Sequence, residues 1–279
     1  MRFDEKVVLI TGAAHGMGAC YARGFAKEGA DVALVDIAQR IPAVDYQQGT
    51  LSELESVADE LRKMGRNALA VVADVSKKDQ VKAAVDRAIV TFGRIDILVN
   101  NAAIGIMGKP LIDYTEEEID ATFAVNLKGF ILCCQEVIPY MARRKYGKII
   151  NIASGAALYA EPMMSIYATS KYGIRGLSEA LAAEVSHYNI NVNVVVPGFI
   201  STPGLRDILP KLFPEIDYET AYQGICNQNY FRREITEQDV TNAVLFLASD
   251  EARNITSQIL AVTGAVEKKA PAKEPYFTV

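Results

Sequence analysis

The sequence predicts the α/β class, with one domain built on a doubly wound parallel sheet of seven strands. Seven short apolar runs alternate with longer segments of helical period along the 279-residue chain. The runs are nearly continuous in Val, Ile, Leu and Ala, a composition typical of strands that helices cover on both faces. Right-handed crossovers between successive strands then give the doubly wound arrangement.

The predicted strands follow one another at regular intervals. They are Val7–Ile10, Asp31–Asp36, Ala68–Ala73, Ile95–Asn100, Lys148–Ala153, Asn191–Pro197 and Ile259–Val262. Two segments interrupt the alternation. Residues 37–50 are long for a connection between a strand and a helix and are predicted to be an inserted loop. Residues 199–233 are rich in apolar and aromatic side chains and punctuated by prolines, which predicts short helices that fold over a pocket as a substrate lid.

The end of the chain has a different composition. After Gly264 the sequence carries Lys, Ala and Pro without periodicity, so residues 1–264 are predicted to be the domain and residues 265–279 a C-terminal extension. The extension is either a terminus without fixed contacts or an anchor that places Tyr276, Phe277 and Val279 on a neighbouring subunit. The sequence does not decide between these alternatives.

Charge and composition narrow the classes of partner. The formal net charge is -5, which provides no basic surface for nucleic acid or an anionic membrane. The N-terminal apolar run is short and follows Asp4 and Glu5, so neither a signal peptide nor a spanning helix is expected. A cytoplasmic protein that acts on small molecules is the resulting prediction.

The first predicted strand runs directly into a glycine-rich turn at residues 11–18, TGAAHGMG, and a helix follows. Glycines let the backbone approach a pyrophosphate, and the helix N-terminus favours its negative charge. An ordinary tight turn is the alternative for this segment alone. The residues predicted to bind the dinucleotide here are Gly12, His15, Gly16, Met17 and Gly18.

The second strand ends at Asp36, where a carboxylate can hydrogen-bond both ribose hydroxyls of the adenosine half and repel a 2′-phosphate. Ile37 and His15 occupy nearby places, and Arg40 is the only candidate cation for such a phosphate. The predicted cofactor is therefore NAD, with NADP less favoured.

Other strand ends are expected at the same edge of the sheet, where ligands collect in open α/β folds. Residues after the third and fourth strands would form the adenine pocket, and those after the sixth would meet the nicotinamide carboxamide. These predicted contacts are Asp74, Val75, Asn100, Asn101, Ala102, Pro197, Gly198, Ile200 and Thr202.

The candidate reactive residues lie on the fifth strand end and the helix after it. Tyr167 and Lys171 are four residues apart and would lie on one helix face. A neighbouring ammonium lowers the phenol pKa from about 10, so Tyr167 can shuttle an alcohol proton. The hydroxyl of Ser154 could bind the substrate oxygen. An incidental Tyr/Lys pair and a turn serine are the alternatives. The chain has two histidines and no metal-ligand spacing, which favours redox chemistry without a metal.

Seven features follow one another along the chain: the TGxxxGxG turn, the acidic end of strand two, Asp-Val, Asn-Asn-Ala, Ser, Tyr-x-x-x-Lys and Pro-Gly. In this order and combination they resemble the short-chain dehydrogenase/reductase family, and the resemblance covers residues 5–264. The resemblance implies a Rossmann fold with Tyr167 as general acid/base and with Ser154 orienting the carbonyl. It implies that Lys171 lowers the Tyr167 pKa and holds ribose hydroxyls, and that Asn126 supports a water-linked proton relay. It further implies a homotetramer with contacts through Phe123–Val137 and Ser165–Val185.

The sequence departs from the family pattern at three places. Ala103 replaces the usual glycine after Asn-Asn-Ala, and Gly264-Ala265 replaces a usual Gly-Gly. The separation of Asp36 from Asp74, 74 − 36 = 38 residues, is longer than in typical members. The added length resembles the carveol-dehydrogenase-like branch, some of whose members hold NAD tightly and pass electrons to a separate redox partner.

The expected substrate is a hydrophobic, cyclic secondary alcohol, terpenoid or steroid-like, or its ketone. Alternatives are an NADPH-dependent 3-ketoacyl-thioester reductase, which Asp36 disfavours, and a non-catalytic NAD-sensing protein. The residues predicted to line the substrate pocket could instead pack the core or a subunit contact. They are Ile104, Ile106, Leu158, Met163, Met164, Phe199, Leu205, Leu209 and Phe213.

Overall fold

The structure is a computed structural model and describes residues 1–265. Its seven strands are β1 Val7–Thr11, β2 Asp31–Asp36, β3 Ala68–Val72, β4 Ile97–Asn100, β5 Gly147–Ile152, β6 Ile190–Pro197 and β7 Ile259–Val262. All pair in parallel in the order β3-β2-β1-β4-β5-β6-β7. The predicted fold class is confirmed, and each predicted strand end lies within two residues of the observed one.

Nine helices are present in residues 1–265. They are α1 Gly16–Lys27, α2 Leu51–Lys63, α3 Lys78–Phe92, α4 Glu116–Phe123, α5 Gly129–Arg144, α6 Ser165–Val185, α7 Pro203–Leu212, α8 Tyr218–Cys226 and α9 Glu237–Ala248. The first strand shows how they form two layers. Val8 and Ile10 pack with α1, α2 and α9, whereas Leu9 packs with α3, α5 and α6. Alternate side chains of a strand point to opposite faces, so the sheet has a core on each side.

One helical stretch reaches a length that the sequence analysis did not expect. Helix α4, a π turn at Ala124–Lys128 and α5 run without a break from Glu116 to Arg144. By length and composition alone this stretch could cross a membrane. However, it buries Phe130, Val137 and Met141 in the protein core, and α5 packs against β4 and β5. A core helix of an α/β domain accounts for these features.

The two irregular segments meet above the sheet. The inserted loop, residues 37–50, contains no helix or strand, and it buries Val44 against the core. The lid, residues 199–233, contains α7 and α8, which share a small apolar core. Lys211 Nζ lies 2.8 Å from a carboxylate oxygen of Asp45, and the Gln47 amide donates to Asp207 at 3.1 Å. The inserted loop and the lid are therefore attached to each other.

The predicted C-terminal extension lies outside the described residues from position 266 onward. Anchoring through Tyr276, Phe277 and Val279 therefore stays a prediction.

Candidate active site

A cavity of about 360 Å³ follows the carboxyl ends of the strands, beneath the inserted loop and the lid. Most of the predicted cofactor and catalytic residues line it. These are Gly12, His15, Gly16, Met17, Gly18, Asp36, Ile37, Asp74, Val75, Asn101, Ala102, Ser154, Tyr167, Lys171, Pro197, Gly198, Ile200 and Thr202. Residues from six strand ends are thus brought to one site.

The glycine turn forms a cradle at one end of the cavity. Gly12 has φ +66°, a left-handed conformation that favours glycine, and a Cβ atom at Gly18 would collide with the carbonyl oxygen of Gly12. Helix α1 begins at Gly16 with no side chain capping it and no acidic residue in its first turn. Its first amides are therefore free to receive an anion, so the turn fits a pyrophosphate.

Asp36 ends β2 beside this cradle and is fixed in place by the backbone. One carboxylate oxygen accepts from the Ala14 amide at 3.0 Å, and the other accepts from the Ala38 amide at 2.9 Å. Each oxygen retains acceptor capacity for one hydroxyl, as a ribose diol requires. A carboxylate in this position would repel a 2′-phosphate. At the end of β3, Asp74 is held similarly, since one of its oxygens accepts from the Ser76 amide at 2.8 Å.

The two asparagines at the end of β4 have different surroundings. Asn101 Nδ2 donates to the carbonyls of Thr11 and Gly12 at 2.9 and 3.0 Å, so this side chain holds the glycine turn in shape. Asn100 is fully buried and donates to Asn151 Oδ1 at 2.9 Å. Adjacent strand residues face opposite sides of the sheet. Asn100 therefore does not line the cavity, which differs from the prediction.

The reactive residues lie further along the same cavity. Ser154 caps a short 3₁₀ turn after β5, and its Oγ accepts from the Ala156 amide at 3.3 Å. Tyr167 and Lys171 lie on α6, and the Lys171 ammonium is 5.7 Å from the Tyr167 ring centroid. Lys171 is 2% exposed and donates to the Ile152 carbonyl at 3.2 Å. A substrate oxygen placed near Tyr167 would therefore meet hydroxyls from both α6 and the β5 turn.

Burial shifts the pKa of both ionisable groups, Tyr167 and Lys171. It raises the pKa of Tyr167 above its ordinary value, and a hydrogen bond with Ser154 only partly lowers it. It lowers the pKa of Lys171 to about 7. Burial sets the direction of the Tyr167 pKa in this structure, and the lowering of the phenol pKa by Lys171 stays a prediction. Near neutral pH, Lys171 therefore gives up its proton more readily than an exposed lysine does.

Asn126 uses its side chain to hold the loop after β4. It lies fully buried in the π turn, where Oδ1 accepts from the Ile104 amide at 2.7 Å. Its Nδ2 donates to the Ile104 carbonyl at 2.8 Å and to Ser170 Oγ at 3.2 Å. The Asn126 side chain therefore positions the Ile104 backbone, and its support of a water-linked proton relay stays a prediction.

Four of the nine predicted substrate residues, Ile104, Met164, Phe199 and Leu205, line the cavity. The other five do not, for separate reasons. Ile106 packs against the core cluster that includes side chains of α3 and α5, and Leu158 packs against the cluster that contains Phe130. The Met163 carbonyl accepts from the Gly108 amide. Leu209 is buried in the lid core, whereas Phe213 is 45% exposed. Apolar composition identified the lid but not which of its side chains face inward.

The sequence analysis missed several lining residues. From the inserted loop and the lid they are Ile41, Tyr46, Gln47, Gln48, Gly49, Gly204 and Ile208, and from other loops they include Met107, Tyr159 and Glu161. The Tyr46 hydroxyl accepts from the Gly105 amide at 2.9 Å. Tyr46 stands in a segment of mixed composition without a regular period, so the sequence offers no signal for its place in the cavity.

The chain matches the family model described as short chain dehydrogenase over residues 6–212. It is 36% identical over 266 residues to the 3-oxoacyl-(acyl-carrier-protein) reductase of Thermotoga maritima, covering 95% of this chain and 99% of that protein. Carveol dehydrogenase from Mycobacterium avium, solved in complex with NAD, superposes with a TM-score of 0.90 at 30% identity, covering 94% and 98% of the two chains. Levodione reductase superposes with a TM-score of 0.86 at 31% identity, covering 94% of this chain and 98% of that chain.

Proposed function

Because the chain belongs to the short-chain dehydrogenase family, we propose that it interconverts a hydrophobic, cyclic secondary alcohol, terpenoid or steroid-like, and its ketone with NAD(H). Its general class, a short-chain alcohol dehydrogenase or ketone reductase, follows from the family and its relatives. One observation carries the finer proposal. A single cavity joins the cradle at Asp36 to Ser154 and Tyr167 beside the apolar side chains of Ile104 and Met164.

Bound NAD would accept a hydride from the alcohol carbon and, in the reverse direction, NADH would return it. The protein supplies the proton transfer and the positioning. Tyr167 takes the proton of the substrate hydroxyl during oxidation and gives it back during reduction. Ser154 holds the same oxygen by a hydrogen bond. Lys171, beneath Tyr167, would hold the nicotinamide ribose and stabilise the phenolate when it is protonated.

The choice of NAD rests on Asp36. Its two oxygens are held by backbone amides, so the carboxylate cannot easily turn away from a 2′-phosphate. The solved carveol dehydrogenase structure contains NAD, which supports the same choice. NADP is the less favoured cofactor.

A panel of cyclic ketones and secondary alcohols, assayed with NAD(H) and NADP(H), tests this proposal. We expect turnover of apolar cyclic substrates and a kcat/KM at least about tenfold higher with NAD(H), the factor that one repulsive contact of about 1.4 kcal/mol produces. Preference for NADP(H), or turnover of acyclic substrates alone, would contradict it.

A second candidate function has support of its own. The Thermotoga maritima relative is a 3-oxoacyl-(acyl-carrier-protein) reductase, so reduction of a 3-ketoacyl thioester with NADPH stays an alternative. Asp36 disfavours its usual phosphorylated cofactor. Including a 3-oxoacyl-CoA in the panel separates the two functions. A non-catalytic NAD-sensing role is disfavoured because Ser154, Tyr167 and Lys171 line one cavity.

The inserted loop supports a proposal about cofactor exchange. Gly49 lies against Asp36 and His15, so the loop crosses the adenosine end of the cavity. The same loop is attached to the lid through Asp45 and Lys211. We propose that the dinucleotide leaves slowly and is reoxidised or reduced in place by an external redox partner.

Prolonged dialysis provides the test. Purified protein is expected to retain NAD, as read by absorbance after denaturation and by mass spectrometry. Lys211→Met, which removes the exposed ion pair between loop and lid, should speed NAD loss only a few-fold, because exposed ion pairs are weak. Lys82→Met removes a comparable exposed pair with Asp86 on α3 and should leave NAD loss unchanged. A preparation that emerges free of NAD and turns over normally with added NAD would refute this mode of action.

Two further proposals come from the family resemblance. A homotetramer through α5 and α6 would cover side chains such as Tyr172, which is 39% exposed on α6. Sedimentation velocity tests it, and a monomer at micromolar concentration would exclude it. A cytoplasmic location is proposed on the same basis, and fractionation of cells that express the chain would test it.

A further inference from the structure

Tyr46 of the inserted loop lines the cavity that contains Tyr167, and together with Gly49 it also borders a second pocket beside Ala38 and Arg40. Its ring lies about 3.6 Å from the position of a Cβ on Gly204, in the lid helix α7. Its hydroxyl accepts from the Gly105 amide at 2.9 Å. Tyr46 therefore connects the inserted loop, the lid and the loop after β4, and it lines the same cavity as Tyr167.

The Tyr46 hydroxyl has an unused hydrogen-bond donor. Gly105 donates to it, and within residues 1–265 no acceptor is in place for its own proton. Burial raises the pKa of Tyr46 to about 12, and Tyr167 contributes to that increase through its nearby charge. The hydroxyl therefore remains protonated and available as a donor throughout the neutral range.

Apolar side chains lie beside the Gly105 amide that donates to Tyr46. They belong to Met107 and Ile208, and Met164 and Leu205 line the same cavity. A donor left without an acceptor in a largely apolar environment carries a free-energy cost. That cost is removed if the bound substrate supplies an oxygen at this point.

We propose that Tyr46 is a specificity-determining residue that donates a hydrogen bond to a second oxygen of the substrate, remote from the carbon that exchanges hydride. The preferred substrate is then a cyclic diketone, hydroxyketone or diol rather than a simple cyclic ketone or alcohol. The inference rests on the proposed function, and it narrows the substrate class. Tyr46 carries no proton in the reaction, because Tyr167 and Ser154 hold the reacting oxygen.

The contacts of Tyr46 favour the substrate over the cofactor as its partner. Gly105 and Gly204 both lie outside the glycine turn, and the one ionisable neighbour that affects its pKa is Tyr167. The residues that fit the pyrophosphate and the adenosine ribose, Gly12 and Asp36, are held by other groups. The test must still separate the two partners.

The experiment compares Tyr46→Phe with the wild type on cyclohexanone and on its diketone and hydroxyketone derivatives, with NADH in excess. The variant keeps the ring and its contact with Gly204. We expect kcat/KM to fall about tenfold for the substrates with two oxygens, as loss of one hydrogen bond implies, and to change less than about twofold for cyclohexanone. The matched control is Tyr114→Phe, since the Tyr114 hydroxyl donates to the Ile106 carbonyl of the same loop at 3.1 Å and does not line the cavity.

Each other outcome overturns the inference. An equal loss for both substrate classes would show that Tyr46 only positions the loop at Gly105. A weaker NADH affinity with unchanged substrate preference would show that its partner is the cofactor. A change of preference in Tyr114→Phe as large as that in Tyr46→Phe would assign the effect to the loop. If the wild type reduces none of these compounds, the proposed function fails first, and that result is distinguishable from the others.

Discussion

Replacing Tyr167 with Phe is expected to lower kcat by about 10³–10⁴-fold, the upper range for loss of a general acid/base. Tyr167 is the hydroxyl that shares the cavity with both Ser154 and Lys171. Removal of its oxygen leaves no group there to exchange the substrate proton, and it leaves the aromatic ring in place. The measurement is steady-state turnover of the best substrate in both directions.

Two further measurements make this result specific. NAD affinity by titration calorimetry should change little in Tyr167→Phe, because the cradle at Gly12 and Asp36 is formed by other residues. Tyr172→Phe, on the same helix but 39% exposed and outside the cavity, should turn over like the wild type. Retained turnover in Tyr167→Phe would remove Tyr167 from the mechanism.

The parts of the site that lie at strand ends could be predicted from sequence. A parallel strand buried on both faces is recognisable from composition, and its carboxyl end must lie at the edge where the neighbouring strands also end. Asp36, Asp74 and Ser154 were placed in this way, and all three line the cavity. Asn100 differs because its side chain is fully buried and donates to Asn151 on the neighbouring strand.

The residues of irregular segments could not be predicted in the same way. In α7, Leu205 and Ile208 face the cavity while Leu209 packs against α8. These three side chains belong to one apolar face of α7, opposite Arg206 and Lys211. Periodicity identifies that face, but it does not tell which of its side chains reach the cavity and which pack within the lid. Tyr46 has no periodic context, and its place depends on contacts with Gly105 and Gly204 that are distant in sequence.

The protonation of the site also required the structure. Spacing correctly places Lys171 beneath Tyr167, but spacing contains no information on desolvation. With Lys171 2% exposed, burial disfavours its charge and brings its pKa to about 7. The consequence is that the protein bears a free-energy cost for holding this lysine in its charged form, and that cost depends on pH.

Lys171→Met tests that cost through stability. Below about pH 7 the lysine is protonated in both the folded and the unfolded chain, so the full penalty of burying the charge is present. Between about pH 7 and pH 10 the unfolded chain binds the proton and the folded chain does not, and the wild-type free energy of unfolding should rise relative to that of Lys171→Met by about 1.4 kcal/mol per pH unit. The advantage of the variant is therefore greatest near pH 6 and shrinks as pH rises.

Urea unfolding of both proteins without cofactor, from pH 6 to pH 9.5, measures this difference. Lys82→Met serves as the control, because the hydrogen bond with Asp86 raises the pKa of Lys82. A raised folded-state pKa keeps Lys82 protonated in both states over this range, so its replacement should shift stability by a constant amount. If the wild type and Lys171→Met instead gave parallel curves, Lys171 would be fully charged in the folded protein, and Tyr167 would then have the ammonium beside it that the four-residue spacing alone suggests.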